Sequence, residues 1–425
     1  MKLSKMASLV IVASACLGLL AGCGKGESSG GSSAKDKKEI VFWNPFTGAD
    51  SENIKTMINE YNDTNPEYKV KNVAMKEIDM YKKIPTVVSS GKNIPDLNIV
   101  HAERIQQYKD GDMLTPYDEA LGDYSEIKGE NYVEAAWNIG ELDGKRYGLP
   151  LDIHSWGTYY NKDLVKKYCP NALDDNIVTF DEIKEAGKKA KADKIAAVGA
   201  TWVKPNFMSL LKQNGGQLSE NGIDPTLDTP PAREAIGMWH DLSEAGYTNK
   251  DGEDAAQIFV SGKAIFLPEG IWAQNTVNEA EFEWGFTNSP QLSDDLSKAV
   301  NWSSSHQFVM FKNDDRTDEK TKGILDFIEW VRTNSLEWAK AGQNPASLDI
   351  LENEEYQKMP QSLYINDPKE RETLTIFDYK YFGYVSDYLE TNGFDAVFGK
   401  KSVKDFTSGM EKEVKEKVAK DKTNK

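Results

Sequence analysis

Short β-rich runs alternate with stretches of helical periodicity along most of this chain, and that alternation limits the folds open to it. Residues 39–43, with the sequence EIVFW, are predicted to form a strand, and residues 54–61 then carry apolar side chains at helical spacing. The next elements are predicted as a strand at 68–73, a helix at 78–88 interrupted by Pro85, and a strand at 97–100. This order favours a mainly parallel sheet with helices on both faces.

The same alternation restarts in the second half of the chain. Residues 146–150 and 156–160 are predicted to be extended segments that cross between two regions. Thr179 and Glu182 form a capping-box pattern that begins a helix reaching about residue 192. The remaining elements are predicted as strands at 195–198, 263–267 and 306–311 and as helices at 319–332, 336–341, 374–389 and 403–418. The sequence therefore predicts an α/β protein with two regions of similar architecture.

Size and charge narrow the function classes. A chain of 425 residues, 39% hydrophobic, is long enough for two or three packed domains. The formal net charge of −17 argues against nucleic acid and anionic membrane surfaces as partners, because their phosphates would be repelled. The 10 Trp, 18 Tyr and 16 Phe argue against intrinsic disorder, because solvated chains are poor in aromatic residues.

The N-terminal segment has the pattern of a secretory signal. Lys2 and Lys5 precede a largely apolar run at residues 6–20, which is short for a permanent membrane span. Residues 20–23, LAGC, resemble the bacterial lipobox, and by that resemblance Cys23 becomes the lipidated first residue of the mature protein. Residues 24–38 are rich in Gly, Ser and charge and are predicted to form a flexible tether.

The cysteine count predicts a core without disulfides. Cys16 leaves with the signal peptide and Cys23 carries lipid, so Cys169 is the one thiol left in an exported protein. Cys169 precedes Pro170 and has no obvious base beside it, and the sequence contains no Gly-rich phosphate loop. Nucleophilic catalysis therefore has no support in the sequence.

Aromatic and hydrogen-bonding side chains recur at or after the ends of the predicted strands. Ligands in open α/β sheets bind beyond the carboxyl ends of strands, so these side chains are candidates for one shared cleft. The candidate ligand-binding residues are Trp43, Phe46, His101, Glu103, Asp152, His154, Trp156, Trp202, Glu269, Trp272, Trp302 and His306. A single Trp is more often a core residue, and Trp137, Trp239, Trp284, Trp330 and Trp338 are assigned to the core.

The composition of this candidate set favours a neutral, polyhydroxylated ligand. Aromatic faces pack against the C–H faces of sugar rings, while carboxylates, amides and imidazoles bond to hydroxyl groups. No cluster of arginines accompanies the candidates, which argues against a phosphorylated or otherwise anionic ligand.

Several segments also resemble one known family. They are the lipobox, EIVFWNPFTGADSENIKTMINEYNDTNPEYKV, IPDLNIVHAERIQQYKDGDMLTPYDEAL, GKRYGLPLDIHSWGTYYNKDLVKKY and FVSGKAIFLPEGIWAQN. In this order and spacing they resemble extracellular solute-binding proteins of family 1, the family that includes maltose-binding protein. The resemblance covers essentially the whole mature chain. It implies a two-lobed clamshell of the periplasmic-binding-protein type II, which closes on a sugar and hands it to an ABC importer.

The resemblance also implies roles for individual residues. Glu103 in AERIQ resembles the carboxylate that bonds sugar hydroxyls after the third strand, and Trp272 in EGIWAQ resembles the aromatic platform of the larger lobe. His154 stands where the maltose-binding protein has a carboxylate, a role that Asp152 is placed to take. Val100, His101 and His154 depart from the maltose pattern, which argues against maltose itself as the ligand.

The sequence thus predicts a receptor for a carbohydrate, which is not an enzyme and needs neither cofactor nor metal. Its partners are expected to be the sugar, the permease subunits of an ABC transporter and, through Cys23, the outer face of the cell membrane; the protein is expected to be a monomer. The expected divisions are a signal peptide at 1–22, a tether at 23–38, an N-terminal lobe at 39–152 and 303–350, and a C-terminal lobe at 153–302 and 351–425.

Two other function classes use some of the same residues. A receptor for a metal ion or another small solute would bring His101, His154 and His306 together with Asp152 around zinc or manganese, although these residues lie far apart in the sequence. A surface glycoside hydrolase would need two carboxylates about 5 to 10 Å apart. Glu103, Asp152 and Glu269 are the available acids, and no sequence pattern marks a pair of them as catalytic.

Overall fold

The computed structural model describes residues 38–48 and 50–423. The predicted signal peptide, Cys23 and almost all of the predicted tether lie outside this part. The strands are β1 (Glu39–Asn44), β2 (Lys69–Ala74), β3 (Leu97–His101), β4 (Leu114–Thr115), β5 (Glu141–Leu142), β6 (Lys145–Arg146), β7 (Leu149–Pro150), β8 (His154–Asn161), β9 (Ala196–Val198), β10 (Ala264–Gly270), β11 (Trp284–Asn288), β12 (Asn301–Ser304), β13 (His306–Phe311) and β14 (Leu374–Ile376).

Helices connect these strands and cover the sheets. They are α1 (Ser51–Asp63), α2 (Glu77–Ser90), α3 (Ile105–Asp110), α4 (Glu134–Asn138), α5 (Lys162–Tyr168), α6 (Phe180–Ala190), α7 (Val203–Gln213), α8 (Pro230–Glu244), α9 (Ala255–Val260), α10 (Gln274–Val277), α11 (Asp318–Asn334), α12 (Leu336–Lys340), α13 (Leu348–Leu351), α14 (Leu363–Asn366), α15 (Pro368–Thr373), α16 (Phe382–Val397) and α17 (Val403–Thr423). Within the described ranges, none of them is both long and apolar enough to cross a bilayer.

The first lobe is built on a sheet with strand order β2-β1-β3-β13-β4, with β7 beside β13. Its strands alternate side chains between two covered faces, and most apolar positions of β1 and β3 are buried. On one face, Phe42 of β1 and Phe308 of β13 pack against Phe327 of α11, with ring centroids 5.9 and 6.2 Å from Phe327. These contacts join strands that are far apart in the sequence into one core.

The second lobe is built on a sheet with strand order β14-β12-β8-β10-β9, with β11 beside β8. The predicted capping box begins α6: Thr179 Oγ1 accepts from the backbone N–H of Glu182 at 3.3 Å, and Glu182 Oε2 accepts from that of Thr179 at 2.9 Å. Cys169 lies buried in this core as an unpaired thiol, and burial raises its pKa to about 12.

The chain passes between the two sheets near one place. β12 pairs with β8 in the second sheet, and after Ser305 alone the chain continues as β13, which pairs with β3 in the first. The segment from β7 to β8 crosses beside it, since β7 pairs with β13 and β8 begins at His154. Strands of the first sheet therefore come from 39–150 and 306–311, and those of the second from 154–304 and 374–376. The lobe assignment of the other segments stays a prediction.

Three details differ from the sequence-based expectations. The sheets are mixed rather than mainly parallel, because β8 and β13 run antiparallel to every strand with which they pair. Pro85 does not interrupt α2, because it lies on the exposed side of the helix, where the loss of one backbone hydrogen bond is tolerated. The helix predicted at 374–389 is instead the strand β14 followed by a loop and α16, because β14 pairs with β12.

Candidate functional site

A cleft with a volume of about 280 Å³ lies between the two lobes. The ends of strands from both sheets meet there. Its walls are formed by Pro45, Phe46, Thr47, Gly48, Asp50, Lys76, Glu77, His101, His154, Trp202, Lys204, Pro205, Trp272, Trp302, His306 and Gln343. Phe46, His101 and Trp272 lie at or after the carboxyl ends of β1, β3 and β10, where α/β proteins bind ligands, whereas His154 and His306 begin the antiparallel strands β8 and β13.

The second lobe supplies an aromatic wall. Trp202 precedes α7 and is 41% exposed, and its ring centroid lies 6.2 Å from that of Trp272, which follows β10. Trp302 of β12 completes the wall, with Lys204 Nζ 5.3 Å from its ring. A large, exposed indole inside a cleft offers apolar area that only a ligand or lobe closure can cover.

The first lobe faces this wall with mostly polar groups. Asp50 is the residue before α1, and Gln343 Nε2 lies 3.4 Å from its Oδ2. Burial raises the pKa of the Asp50 carboxyl. Lys76 and Glu77 stand at the beginning of α2 and also line the cleft. This wall therefore offers hydrogen-bond donors and acceptors within reach of one ligand.

Asp152 lies fully buried behind the cleft, where the two chain crossings meet. Its Oδ1 accepts from His154 Nδ1 at 3.0 Å and from the backbone N–H of His306 at 3.0 Å. Its Oδ2 accepts from His306 Nδ1 at 2.7 Å and from the Trp338 indole N–H at 2.9 Å. Burial alone would raise the pKa of Asp152, but the charge of His306 and the hydrogen bonds from both imidazoles hold it well below its usual range.

Three histidines are oriented into the inner end of the cleft. His101 ends β3, and its Nδ1 lies 2.6 Å from the Tyr81 hydroxyl. Burial lowers the pKa of His101 and of His154. Burial also opposes protonation of His306, but the charge and hydrogen bond of Asp152 outweigh it and raise the pKa of His306.

Glu103 lies beside the cleft in a buried charge network rather than on its wall. Its Oε2 accepts from Ser304 Oγ at 2.7 Å, and Lys204 Nζ lies 3.8 Å from its Oε1. Lys204 also lies 3.5 Å from Glu390 of α16. Burial opposes ionisation of Glu103, yet the neighbouring His101 and Lys204 lower its pKa to about 2. Glu103 is therefore ionised and links the end of β3 to the second lobe.

The structure brings most of the candidate residues together. Those that line the cleft are Phe46, His101, His154, Trp202, Trp272, Trp302 and His306, while Glu103 and Asp152 support them from behind. Their roles in binding remain proposals.

Three candidates are not on the cleft wall. Trp43 lies in a separate core cluster, with Lys83 Nζ 4.5 Å above its ring. Trp156 is fully buried and its indole N–H donates to Asn206 at 2.9 Å. Glu269 is buried within β10, where it accepts from the backbone N–H of Gly270 at 3.0 Å. Each is placed by its strand in a covered layer, so none of them contacts the cleft.

Sequence reasoning missed several cleft residues. Asp50, Lys76 and Glu77 stand where helices begin, and Lys204 lies in the first turn of α7. Gln343 follows α12 and reaches the site from a distant part of the chain. For the four charged residues the available signal was a position in the loop or first helical turn after a predicted strand, where charged residues are usually solvated, and Gln343 had no local signal.

Two hinged α/β lobes with a lined cleft between them define a type II binding protein of the clamshell kind. Residues 56–363 match the model of the bacterial extracellular solute-binding protein family, which is more than two thirds of the chain. The chain therefore belongs to this family. Membership confirms the predicted family and fold, places the protein outside the cytoplasm, and makes it a solute-binding protein rather than an enzyme.

Individual relatives share only 24–28% sequence identity with this chain. An arabinooligosaccharide-binding protein of Bacillus subtilis is 28% identical over 211 residues, which cover 48% of this chain and 46% of that protein. An sn-glycerol-3-phosphate-binding periplasmic protein of Brucella melitensis is 24% identical over 362 residues, which cover 78% of this chain and 80% of that protein. The chain thus spans about half the length of the first of these relatives and most of the second.

Solved structures share the fold at low identity. An ABC substrate-binding protein from Listeria monocytogenes in complex with cycloalternan gives a TM-score of 0.74 at 20% identity, covering 90% of this chain and 100% of that one. The maltose/maltodextrin-binding domain from Bdellovibrio bacteriovorus bound to maltotriose gives 0.75 at 17% identity, with coverage of 90% and 100%. At these identities the likeness establishes the fold alone.

Burial of Glu269 predicts a pH-dependent stability. Burial raises its pKa from 4.5 to about 8, so the folded protein keeps a proton that the unfolded chain loses. The contribution of Glu269 to the free energy of unfolding therefore falls as the pH rises from about 4.5 to about 8. We expect Glu269→Gln to match the parent near pH 4 and to be more stable by a few kcal/mol at about pH 9.

Urea unfolding at both pH values measures this difference. Gln keeps an oxygen that accepts from the backbone N–H of Gly270, so the substitution changes the charge and little else. A stability difference that stays constant between the two pH values would contradict a protonated Glu269 in the folded state.

Proposed function

We propose that this protein captures a neutral carbohydrate, most simply an oligosaccharide, between its lobes and delivers it to the permease of an ABC importer. The observation that carries the proposal is the aromatic wall of one lobe, formed by Trp202, Trp272 and Trp302, opposite the polar wall of the other. Indole faces pack on the C–H faces of sugars, and the polar groups bond to hydroxyls. A ligand that contacts both walls favours the closed state, which the importer recognises.

The charges of the cleft support a neutral ligand over a phosphate ester. Lys76 and Lys204 are opposed there by Asp50 and Glu77. Lys204 is further neutralised by Glu103 and Glu390, at 3.8 and 3.5 Å. Among the described residues, no arginine lines the cleft to form bidentate bonds with a phosphate. This distinction matters because the relatives include both an oligosaccharide-binding and a glycerol-phosphate-binding protein.

The proposal includes the location of the protein. Processing before Cys23 and lipidation of its thiol would anchor a monomer to the outer face of the cell membrane. Several acyl chains on one residue hold a protein far more firmly than a single chain. The polar segment at 24–38 would then keep the cleft clear of the lipid surface.

The Trp272→Ala variant tests the aromatic wall. A thermal-shift screen across mono- and oligosaccharides of arabinose, glucose and mannose, with sn-glycerol-3-phosphate included, first identifies the ligand. We expect Trp272→Ala to raise the Kd for that sugar by about tenfold or more, because a buried aromatic anchor is lost. Isothermal titration calorimetry measures the change.

Trp284→Ala is the matched control, because Trp284 lies in β11 of the same lobe and does not line the cleft. It should leave the Kd unchanged. A thermal shift with sn-glycerol-3-phosphate alone, or an unchanged sugar affinity in Trp272→Ala, would contradict the proposal.

The Cys23→Ala variant tests the anchor. Without the thiol no lipid can be attached, so we expect the protein to move from the membrane fraction to the soluble extracytoplasmic fraction. Fractionation followed by immunoblotting measures this, and labelling with a radioactive fatty acid should be lost in the same variant. Cys169→Ala, which removes a buried thiol, should keep both the label and the membrane location. Retention of the fatty-acid label in Cys23→Ala would exclude lipid anchoring through Cys23.

A further inference from the structure

Three of the four histidines of the chain gather at the inner end of the cleft. One ring nitrogen from each of His101, His154 and His306 lies within 4.8 Å of the other two. The ring centroids are separated by 4.2 Å for His154 and His306 and by 4.7 Å for His101 and His306. The three residues come from three different strands, so the fold, and not the local sequence, creates the cluster.

The surroundings of the cluster fix the imidazole orientations. His154 and His306 both bond through Nδ1 to the carboxylate of Asp152. Because a carboxylate can only accept, each Nδ1 carries the hydrogen, and Nε2 is the nitrogen that each ring offers to a metal once it is deprotonated. The Tyr81 hydroxyl, which can accept as well as donate, holds Nδ1 of His101 at 2.6 Å.

One of these nitrogens is left without a partner. His154 is 1% exposed, and its Nε2 has no hydrogen bond to any residue in 38–48 or 50–423. An unpartnered buried polar atom costs roughly 1–3 kcal/mol, and native structures seldom keep one without a reason. A ligand at the cluster would remove that cost.

We propose that His101, His154 and His306 bind one divalent transition-metal ion of the zinc type, with Asp152 fixing two of the ligands and with a coordination position open to the cleft. Imidazole nitrogens suit borderline ions such as Zn²⁺, Co²⁺ and Ni²⁺, whereas Ca²⁺ and Mg²⁺ take oxygen ligands. A carboxylate that accepts from the second nitrogen of a ligating histidine is the usual outer support of such a site.

Binding would require a small movement of the rings. Zn–N bonds of about 2.0–2.1 Å in a tetrahedral site place ligand nitrogens roughly 3.4 Å apart. The widest pair, at up to 4.8 Å, must therefore draw together, which rotation of the imidazoles can supply. His101 and His306 are register partners in the first sheet, while His154 begins β8 of the second. The ion would thus also join the two lobes at their hinge.

The metal site adjoins the sugar site, since the ring centroid of His154 lies 5.6 Å from that of Trp272 and 5.7 Å from that of Trp302, but the two kinds of binding are measured separately. Metal binding can be measured without sugar, and sugar binding can be measured on metal-free protein. A failure of the metal proposal and a failure of the sugar proposal therefore give different experimental results.

Calorimetry with metal salts tests the inference. The full mature chain without a histidine tag is treated with a chelator, dialysed and titrated with ZnCl₂. We expect one ion per chain, and the Co²⁺ form should show the intense visible absorption of tetrahedral nitrogen ligation. His154→Gln and His101→Gln should each weaken Zn²⁺ binding by roughly 100-fold or more, the upper end of the effect of outer-shell changes alone.

His240→Gln is the matched control, because His240 lies on α8 with its Nδ1 3.4 Å from the carbonyl of Val397, away from the cluster. It should bind Zn²⁺ as the parent does. If His154→Gln does not fold, His101→Gln decides, because His101 is only partly buried.

Different results would contradict the metal site and the proposed function. Absence of stoichiometric binding, equal binding in His101→Gln and the parent, or displacement by millimolar Ca²⁺ would overturn the metal site. In each of these cases the sugar titration of metal-free protein still tests the proposed function. If the metal-free protein binds no sugar but the chain still binds Zn²⁺ stoichiometrically, only the proposed function is overturned.

Discussion

The buried carboxylate of Asp152 is the constraint on which the geometry of the cleft depends. A charge removed from water is tolerated only when hydrogen bonds replace the lost hydration, and Asp152 accepts four. Their donors are His154 at the beginning of β8, the backbone and ring of His306 at the beginning of β13, and the indole of Trp338 in α12. The carboxylate therefore fixes the two crossings of the chain relative to one another and points two imidazoles at the cleft.

The two lobes present different chemical groups to a ligand in the cleft. The second lobe presents the indoles of Trp202, Trp272 and Trp302, and the first presents carboxylate, amide and amine groups. Residues outside the cleft wall also link the lobes: Arg104 donates to Asp387 of α16 at 2.7 Å, and Lys380 lies 2.6 Å from Asp110. Gly342, at φ +91°, allows the loop after α12 to approach the backbone of Ile271. A ligand that bridges the walls adds to contacts that already hold the lobes close.

The sequence was sufficient for the order of the elements and for the residues that follow strands. Strand ends converge in any α/β sheet, so Phe46, His101, Trp202 and Trp272 could be placed at one site without coordinates. The sequence did not show which aromatic residues lie in the core and which lie on the cleft wall. Trp43 and Trp156 are buried because helices cover β1 and β8. Gln343 and Trp338 reach the site from α12 and the loop after it, which no local pattern links to β8. The antiparallel direction of β13 in the first sheet also had no local signal, because it follows from the crossing between the sheets at Ser305.

Hydrogen–deuterium exchange with and without the sugar found in the screen tests the central claim most directly, because it reports on both walls in one experiment. Closure on a shared ligand predicts slower exchange in peptides from both lobes: those covering Phe46 to Asp50 and His101 in the first, and Trp202 to Pro205 and Trp272 in the second. Protection confined to one lobe, or centred away from the Asp152 crossing, would contradict a ligand held between the two.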